Sequence, residues 1–272
     1  MKIIGKFSAA LLLALTVSGC QTVHTTQPGA VGIDRSQTML VSSKQINDST
    51  KKAYGQTMQE AAQKGQLNRD AGQLARVRSV AGRLIGQTGA FRADAPGWQW
   101  EVNVVSSKEV NAWCMPGGKI AVYTGILDGL KLTDEELAAV IGHEIAHALR
   151  EHGRERASQM MAQTLVIGVV GALAGLSEAT QDLSKTVLDL TFNLPNSRQD
   201  ETEADRIGVE LAARAGFDPR AAITLWQKMA QKGGGSPPEF LSTHPAGQTR
   251  IADLRAISEK VLPLYERARS QH

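Results

Sequence analysis

The sequence predicts an α+β fold that is mainly helical, with a small β-sheet beside one central helix. Three observations carry this. Leu137, Val140, Ile141, Ile145 and Leu149 recur at helical spacing behind a Thr133-Asp134-Glu135-Glu136 start, which has the form of a capping box. Trp98, Trp100, Val102 and Val104 alternate, as in a half-buried strand over 98–105. Met115-Pro116-Gly117-Gly118 reads as a turn between two short strands, the second running from Lys119 to Thr124. A chain of 272 residues, 42% hydrophobic, suffices for one domain with a real core.

The remaining elements follow in order. Lys2 and Lys6 precede an apolar stretch from Ala9 to Val17, too short to span a bilayer stably. Val17-Ser18-Gly19-Cys20 then reads as a lipobox, so residues 1–19 are expected to leave as a signal peptide and Cys20 to carry a lipid. Residues 20–43, rich in Gln, Thr, Ser and Gly, read as a flexible linker, which puts the folded domain over 44–272. Residues 44–88 look helical, with a stripe of Leu74, Val77, Ala81, Leu84 and Ile85. Arg150 and Gly153 are expected to close the central helix. Met160 to Leu176 is almost wholly apolar and is expected to be a helix buried against the central one; a lid over a cleft or a membrane-surface patch are the alternatives. A second acidic helix opens at Ser197. Asp218-Pro219 starts another, with Pro at the first position. Gly233 to Pro238 forms a loop leading to His244, and a last helix runs from about Thr249 to Arg269, kinked or ended by Pro263.

The chemistry concentrates in His143-Glu144-Ile145-Ala146-His147. Two histidines four apart on a helix point the same way, so both imidazoles can reach one tetrahedral Zn²⁺. Glu144 lies beside them, placed to take a proton from a water at the metal. Such a site needs a third protein ligand and an open fourth position. Asp200, Glu201, Glu203 and Asp205 compete for it; Glu201 and Asp205 are four apart and share a face. One of these two can bind the ion while the other holds a ligand imidazole by its second nitrogen, and spacing does not say which.

The net charge of +3 shrinks further once Lys2 and Lys6 leave, and no basic–aromatic patch appears, so nucleic acid is not an expected partner. Cys114 is the one cysteine after Cys20; it reads as a small buried hydrophobe in a strand, with an inhibitory thiol ligand as the lesser alternative.

His143–His147 followed by Glu201-Thr202-Glu203-Ala204-Asp205 resembles the HExxH…ExxAD gluzincin metallopeptidase family, which includes the CAAX prenyl protease, HtpX and the mitochondrial Oma proteases. Within it the chain resembles the periplasmic lipoprotein branch typified by BepA and LoiP, over roughly residues 70 to 257. The resemblance implies a zincin-like domain with one Zn²⁺ per chain, Glu201 as third ligand and Asp205 as the partner behind a ligand imidazole. Asn111-Ala112-Trp113 resembles the family's substrate-binding edge strand, and Ser242-Thr243-His244-Pro245 with Arg250-Ile251 resembles its His-Pro…Arg-Ile motif. BepA-like members carry a C-terminal TPR array; this chain stops soon after the His-Pro motif, which makes it the more LoiP-like.

The resulting expectation is a zinc endopeptidase of the cell envelope, lipid-anchored in the periplasm through Cys20. Gln21 in place of aspartate favours the outer membrane by the enteric sorting rule. The expected substrates are misfolded or outer-membrane proteins, and the outer-membrane assembly machinery is the expected partner. His143, His147 and Glu201 hold the metal, Glu144 is the base, His244 stabilises the oxyanion or gates the metal, and Asn111, Ala112 and Arg250 contact substrate. Two rivals stay open: an assembly chaperone or scaffold with gated or vestigial protease activity, and a zinc amidase acting on cell-wall peptides.

Overall fold

The computed structural model describes residues 21–173, 183–232, 239–245 and 249–270. The signal peptide over 1–19, lipidation of Cys20, the Gly233–Pro238 loop and the end of the 160–176 stretch lie outside these residues. The chain opens with β1 (Gln21–Val23) and β2 (Gln37–Met39), then α1 (Ser43–Gln63) and α2 (Ala71–Ile85). β3 (Glu101–Val105), β4 (Ala112–Met115) and β5 (Lys119–Tyr123) follow, with a short α3 (Thr124–Gly129). The helices α4 (Asp134–Leu149), α5 (His152–Leu173), α6 (Leu183–Phe192) and α7 (Arg198–Arg214) carry the centre of the molecule. α8 (Ala221–Lys232), α9 (Glu239–Thr243) and α10 (Arg250–Arg269) close it. The fold is mainly helical with small sheets, as the sequence predicts.

The three-stranded sheet has the order β3-β5-β4, with β3 parallel and β4 antiparallel to β5. β5 is buried along its whole length because it faces two cores. Ile120 and Val122 join the larger core with Leu137, Ile141 and Ile145. Ala121 and Tyr123 face the smaller one with Ile46, Tyr54, Trp113 and Val187. This is the two-residue period of a strand expressed as packing.

α4 is capped as expected: Thr133 and Glu136 satisfy both halves of the capping box. Every residue from Glu136 to Leu149 is buried, so this helix is the axis around which the rest packs. α7 starts from Ser197, whose side chain and that of Asp200 form a second capping box. The two helices meet where neither has a side chain. A Cβ on Gly142 would lie 2.9 Å from the Gly208 carbonyl oxygen, and one on Gly208 would lie 2.7 Å from the His143 nitrogen. Both contacts are too short for any other residue, so glycine at each position permits the approach that brings Glu201 to His143.

Several expectations are corrected. The expected linker over 20–43 is packed onto the domain from Gln21 on: β1 pairs with β2, and Val31, Ile33, Met39 and Val41 are buried. Its composition misleads because charged and polar bonds hold it; Arg35 and Gln37 both bond Glu155. The helical stretch 44–88 is two helices, parted by a turn in which Gly65 and Asn68 take φ values of 62° and 53°. The strand expected from Trp98 begins at Glu101, after a 3₁₀ turn at Ala95–Gly97; the Trp98 and Trp100 rings stack at 5.4 Å instead. Thr124 starts α3 rather than ending β5. The left-handed residue after α4 is Glu151 (φ 51°), not Gly153, which lies inside α5. Ion pairs from Arg92 and Arg154 to the Glu151 carboxylate hold that conformation. Pro219 precedes α8 by two residues, and α10 continues through Pro263 to Arg269. The apolar 160–176 stretch is helical as far as Leu173, but Met161 is 36% exposed, so its start is not a buried helix. Among the described residues no helix is long and apolar enough to cross a membrane.

Candidate active site

His143, Glu144 and His147 project from α4, Glu201 and Asp205 from α7, and His244 follows α9; all six are buried. The Nε2 atoms of His143 and His147 lie 3.1 Å apart. Glu201 reaches them at 3.5 Å and 3.3 Å. His244 Nδ1 stands 3.1 Å from His143 Nε2 and 2.9 Å from Glu201 Oε1. One donor atom from each of His143, His147, Glu201 and His244 falls within 4.8 Å of every other. Three imidazole nitrogens and a carboxylate turned toward one point in a buried pocket are lone pairs facing lone pairs, which a cation reconciles. The electrostatics agree. Burial works against a charge on His143, yet Glu201 and then Asp205 push it up to about 9. Burial alone would raise Glu201, but His244 and His143 hold it well below the ordinary carboxylate range. His147 goes the other way, pushed well down chiefly by burial, which favours the neutral imidazole that a metal ligand needs; the residues present fit a metal ion.

Behind the donors the structure separates the carboxylates. Asp205 Oδ1 is 3.0 Å from His143 Nδ1, the position the resemblance implies. Arg250 donates to Glu201 at 3.0 Å and to Asp205 at 2.6 Å, with its guanidinium 3.3 Å from the Trp226 ring centroid. The expected substrate contact by Arg250 is thereby corrected: its charge is already shared between two carboxylates behind the donors. Asp200 and Glu203 turn away from the donors, toward Arg35 and His152.

Family models identify this arrangement. The model described as Peptidase family M48 matches residues 73–258, more than half of the chain. The chain belongs to family M48. It is 40% identical over 171 residues to the "Mitochondrial metalloendopeptidase OMA1" of Arabidopsis thaliana, covering 62% of this chain and 34% of that protein. It is 32% identical over 247 residues to the "Metalloendopeptidase OMA1, mitochondrial" of Homo sapiens, covering 85% of this chain and 46% of that one. The "Beta-barrel assembly-enhancing protease" of Escherichia coli (strain K12) is 32% identical over 173 residues, 59% of this chain and 35% of its own. The chain thus spans about half or less of the length of these relatives.

In this M48 site the cleft runs between β4, the edge strand, and α6. Trp113, Cys114, Met115 and Pro116 line one wall; Val187, Leu190 and Thr191 line the other; Glu144, His147 and His244 lie between them. The expected substrate contacts Asn111 and Ala112 are instead buried at the start of the strand, 4% and 1% exposed, and the cleft wall begins one residue later. Ala112 joins the larger core, and the Asn111 oxygen accepts from Tyr123 N. Phe192 meets the Trp113 ring edge-on at 5.5 Å. Glu144 Oε1 is buried without a hydrogen-bond partner, 3.4 Å from His244 Nε2. Burial raises its carboxyl above the ordinary range, with His244 and His143 opposing. Cys114 is half-buried in β4 and outside the donor group; desolvation, then Glu144, pushes its thiol well up.

One residue of the site went unread in the sequence. His152 Nδ1 lies 2.9 Å from His147 Nδ1, and its Nε2 lies 3.1 Å from Glu203 Oε2. His152 is five residues past His147, off the helical face, and comes into reach because the chain turns at Glu151. A third histidine close behind the pair was the available signal.

Proposed function

We propose that the protein is a zinc metalloendopeptidase. The observation that carries this is the convergence of His143, His147 and Glu201 beside Glu144, whose Oε1 is buried without a hydrogen bond, 3.4 Å from His244 Nε2. A bound Zn²⁺ would supply Lewis acidity toward a peptide carbonyl and acidify a water. His143, His147 and Glu201 hold the ion, and Asp205 fixes the His143 ring through Nδ1. Glu144 takes a proton from the attacking water and returns it to the leaving amine; burial, which raises its carboxyl, makes it the stronger base. β4, at the edge of the sheet and along the cleft, pairs with an extended peptide, which gives affinity through the main chain with little sequence demand.

His244 occupies the fourth donor position here. This supports a closed site that opens when His244 withdraws, after which its imidazole serves the oxyanion. The same contact is what favours a gated enzyme over a permanently open one.

For the whole protein we place this activity in the bacterial cell envelope, with lipid on Cys20 and misfolded or outer-membrane proteins as substrates. The support is the lipobox in the sequence and the likeness to the beta-barrel assembly-enhancing protease of Escherichia coli. Casein hydrolysis that chelators abolish and Zn²⁺ restores tests the central reading; hydrolysis indifferent to chelators refutes it.

A further inference from the structure

His147 raises a question that the donor set does not answer. Its Nε2 faces the donor cluster, 3.1 Å from His143 Nε2 and 3.3 Å from Glu201 Oε1. An imidazole that gives its Nε2 lone pair to a metal carries its proton on Nδ1, and that proton needs an acceptor. For His143 the acceptor is Asp205. For His147, among the described residues, no carboxylate bonds Nδ1, which faces His152 Nδ1 at 2.9 Å.

Two facing Nδ1 atoms can share one proton only if one donates and the other accepts. His147 must donate, so His152 accepts at Nδ1 and keeps its own proton on Nε2. That Nε2 lies 3.1 Å from Glu203 Oε2, an acceptor. The tautomers of both rings are therefore set from the far end. Glu203 is fixed in turn: Arg150 donates to it at 2.8 Å and Arg35 at 2.6 Å. Arg150 is fully buried and also donates to Thr25, Thr26 and the Arg35 carbonyl. His152 itself is 1% exposed.

We propose that His152 is a positioning residue for His147, relaying the Glu203 carboxylate to it through one imidazole, with Arg35 of the N-terminal strap (residues 21–42) closing the relay. The proposal rests on the metallopeptidase reading above. It makes the strap part of the support of the site, although no strap residue touches a donor. It also assigns a use to a buried histidine and a buried carboxylate that the hydrolytic chemistry leaves idle.

The test compares full-length wild type with His152→Ala and His152→Asn. Zn²⁺ affinity is read by competition with a chromogenic chelator, ring geometry by the visible absorption of the Co²⁺-substituted protein, and folding by circular dichroism. Alanine leaves the His147 proton without an acceptor, and Zn²⁺ affinity is expected to fall roughly 10–100-fold with a shifted Co²⁺ spectrum. Asparagine offers an acceptor oxygen near the old Nδ1 but does not reach Glu203, so it falls between alanine and wild type. A folded alanine variant with wild-type affinity and spectrum overturns the relay while leaving the metallopeptidase reading intact. Should the alanine variant not fold, the asparagine variant decides alone: equality with wild type overturns the proposal. A wild type that takes up neither Zn²⁺ nor Co²⁺ overturns both.

Discussion

His143 and His147 lie one turn apart on α4, yet the molecule holds them from behind in different ways. His143 leans directly on Asp205, which sits one helical turn from Glu201 on α7 and shares Arg250 with it. His147 leans on His152, then Glu203, then Arg150 and Arg35, a chain that crosses from α4 to the N-terminal strap. The first support is short: one carboxylate from α7, held by Arg250 of α10. The second passes through one more side chain and reaches the N-terminal strap. A break in the first leaves a buried charge behind; a break in the second loosens a relay whose other members stay paired.

Asp205→Ala probes the first support and has the larger expected effect. It takes from buried Arg250 one of its two carboxylates and from His143 its only carboxylate at Nδ1. Breaking a buried ion pair costs about 3–5 kcal/mol. A urea midpoint that falls by much less than this would mean Arg250 finds another partner.

Gly208→Ala strikes both supports at once, since the added methyl would meet His143 N. Overpacking of this kind costs about 1–3 kcal/mol. Thermal unfolding and Zn²⁺ titration should show lower stability and weaker metal together. Lower stability with unchanged metal affinity would separate helix spacing from site geometry.

The smallest effect sharpens the comparison through pH. Burial alone would raise the Glu203 carboxyl, but His152, Arg35 and Arg150 hold it below the ordinary carboxylate range. A carboxyl depressed in the folded state adds stability that is present above its unfolded pKa and lost as pH falls through the folded one. Glu203→Gln should therefore melt below wild type near neutral pH, and the gap should narrow in acid below about pH 4. A gap independent of pH would mean that the side chain acts by shape alone.

The sequence made the first support legible and hid the second, for a physical reason. Helical periodicity ties residues three and four apart, so His143 with His147 and Glu201 with Asp205 could be read as faces. The capping box at Thr133 and the acidic start at Ser197 located both helices to within a residue of their starts. Periodicity says nothing about residues joined by a left-handed turn, and His152 reaches His147 only through Glu151. Nor does composition reveal a strap: the 21–42 stretch is rich in Gln and Thr, yet Val31, Ile33, Met39 and Val41 are buried and Arg35 and Gln37 bond it to buried carboxylates. Arg250 was placed in the site by resemblance and assigned to the wrong side of it, because a motif fixes neighbourhood and not direction.

The central claim, that Glu144 is the base of a metal-dependent peptidase, is tested most directly by the turnover of Glu144→Gln at full metal occupancy. Glutamine keeps the shape and cannot take the proton. The account predicts wild-type metal content and fold, with peptide hydrolysis lost. Hydrolysis at the wild-type rate by a metal-loaded Glu144→Gln protein would contradict it.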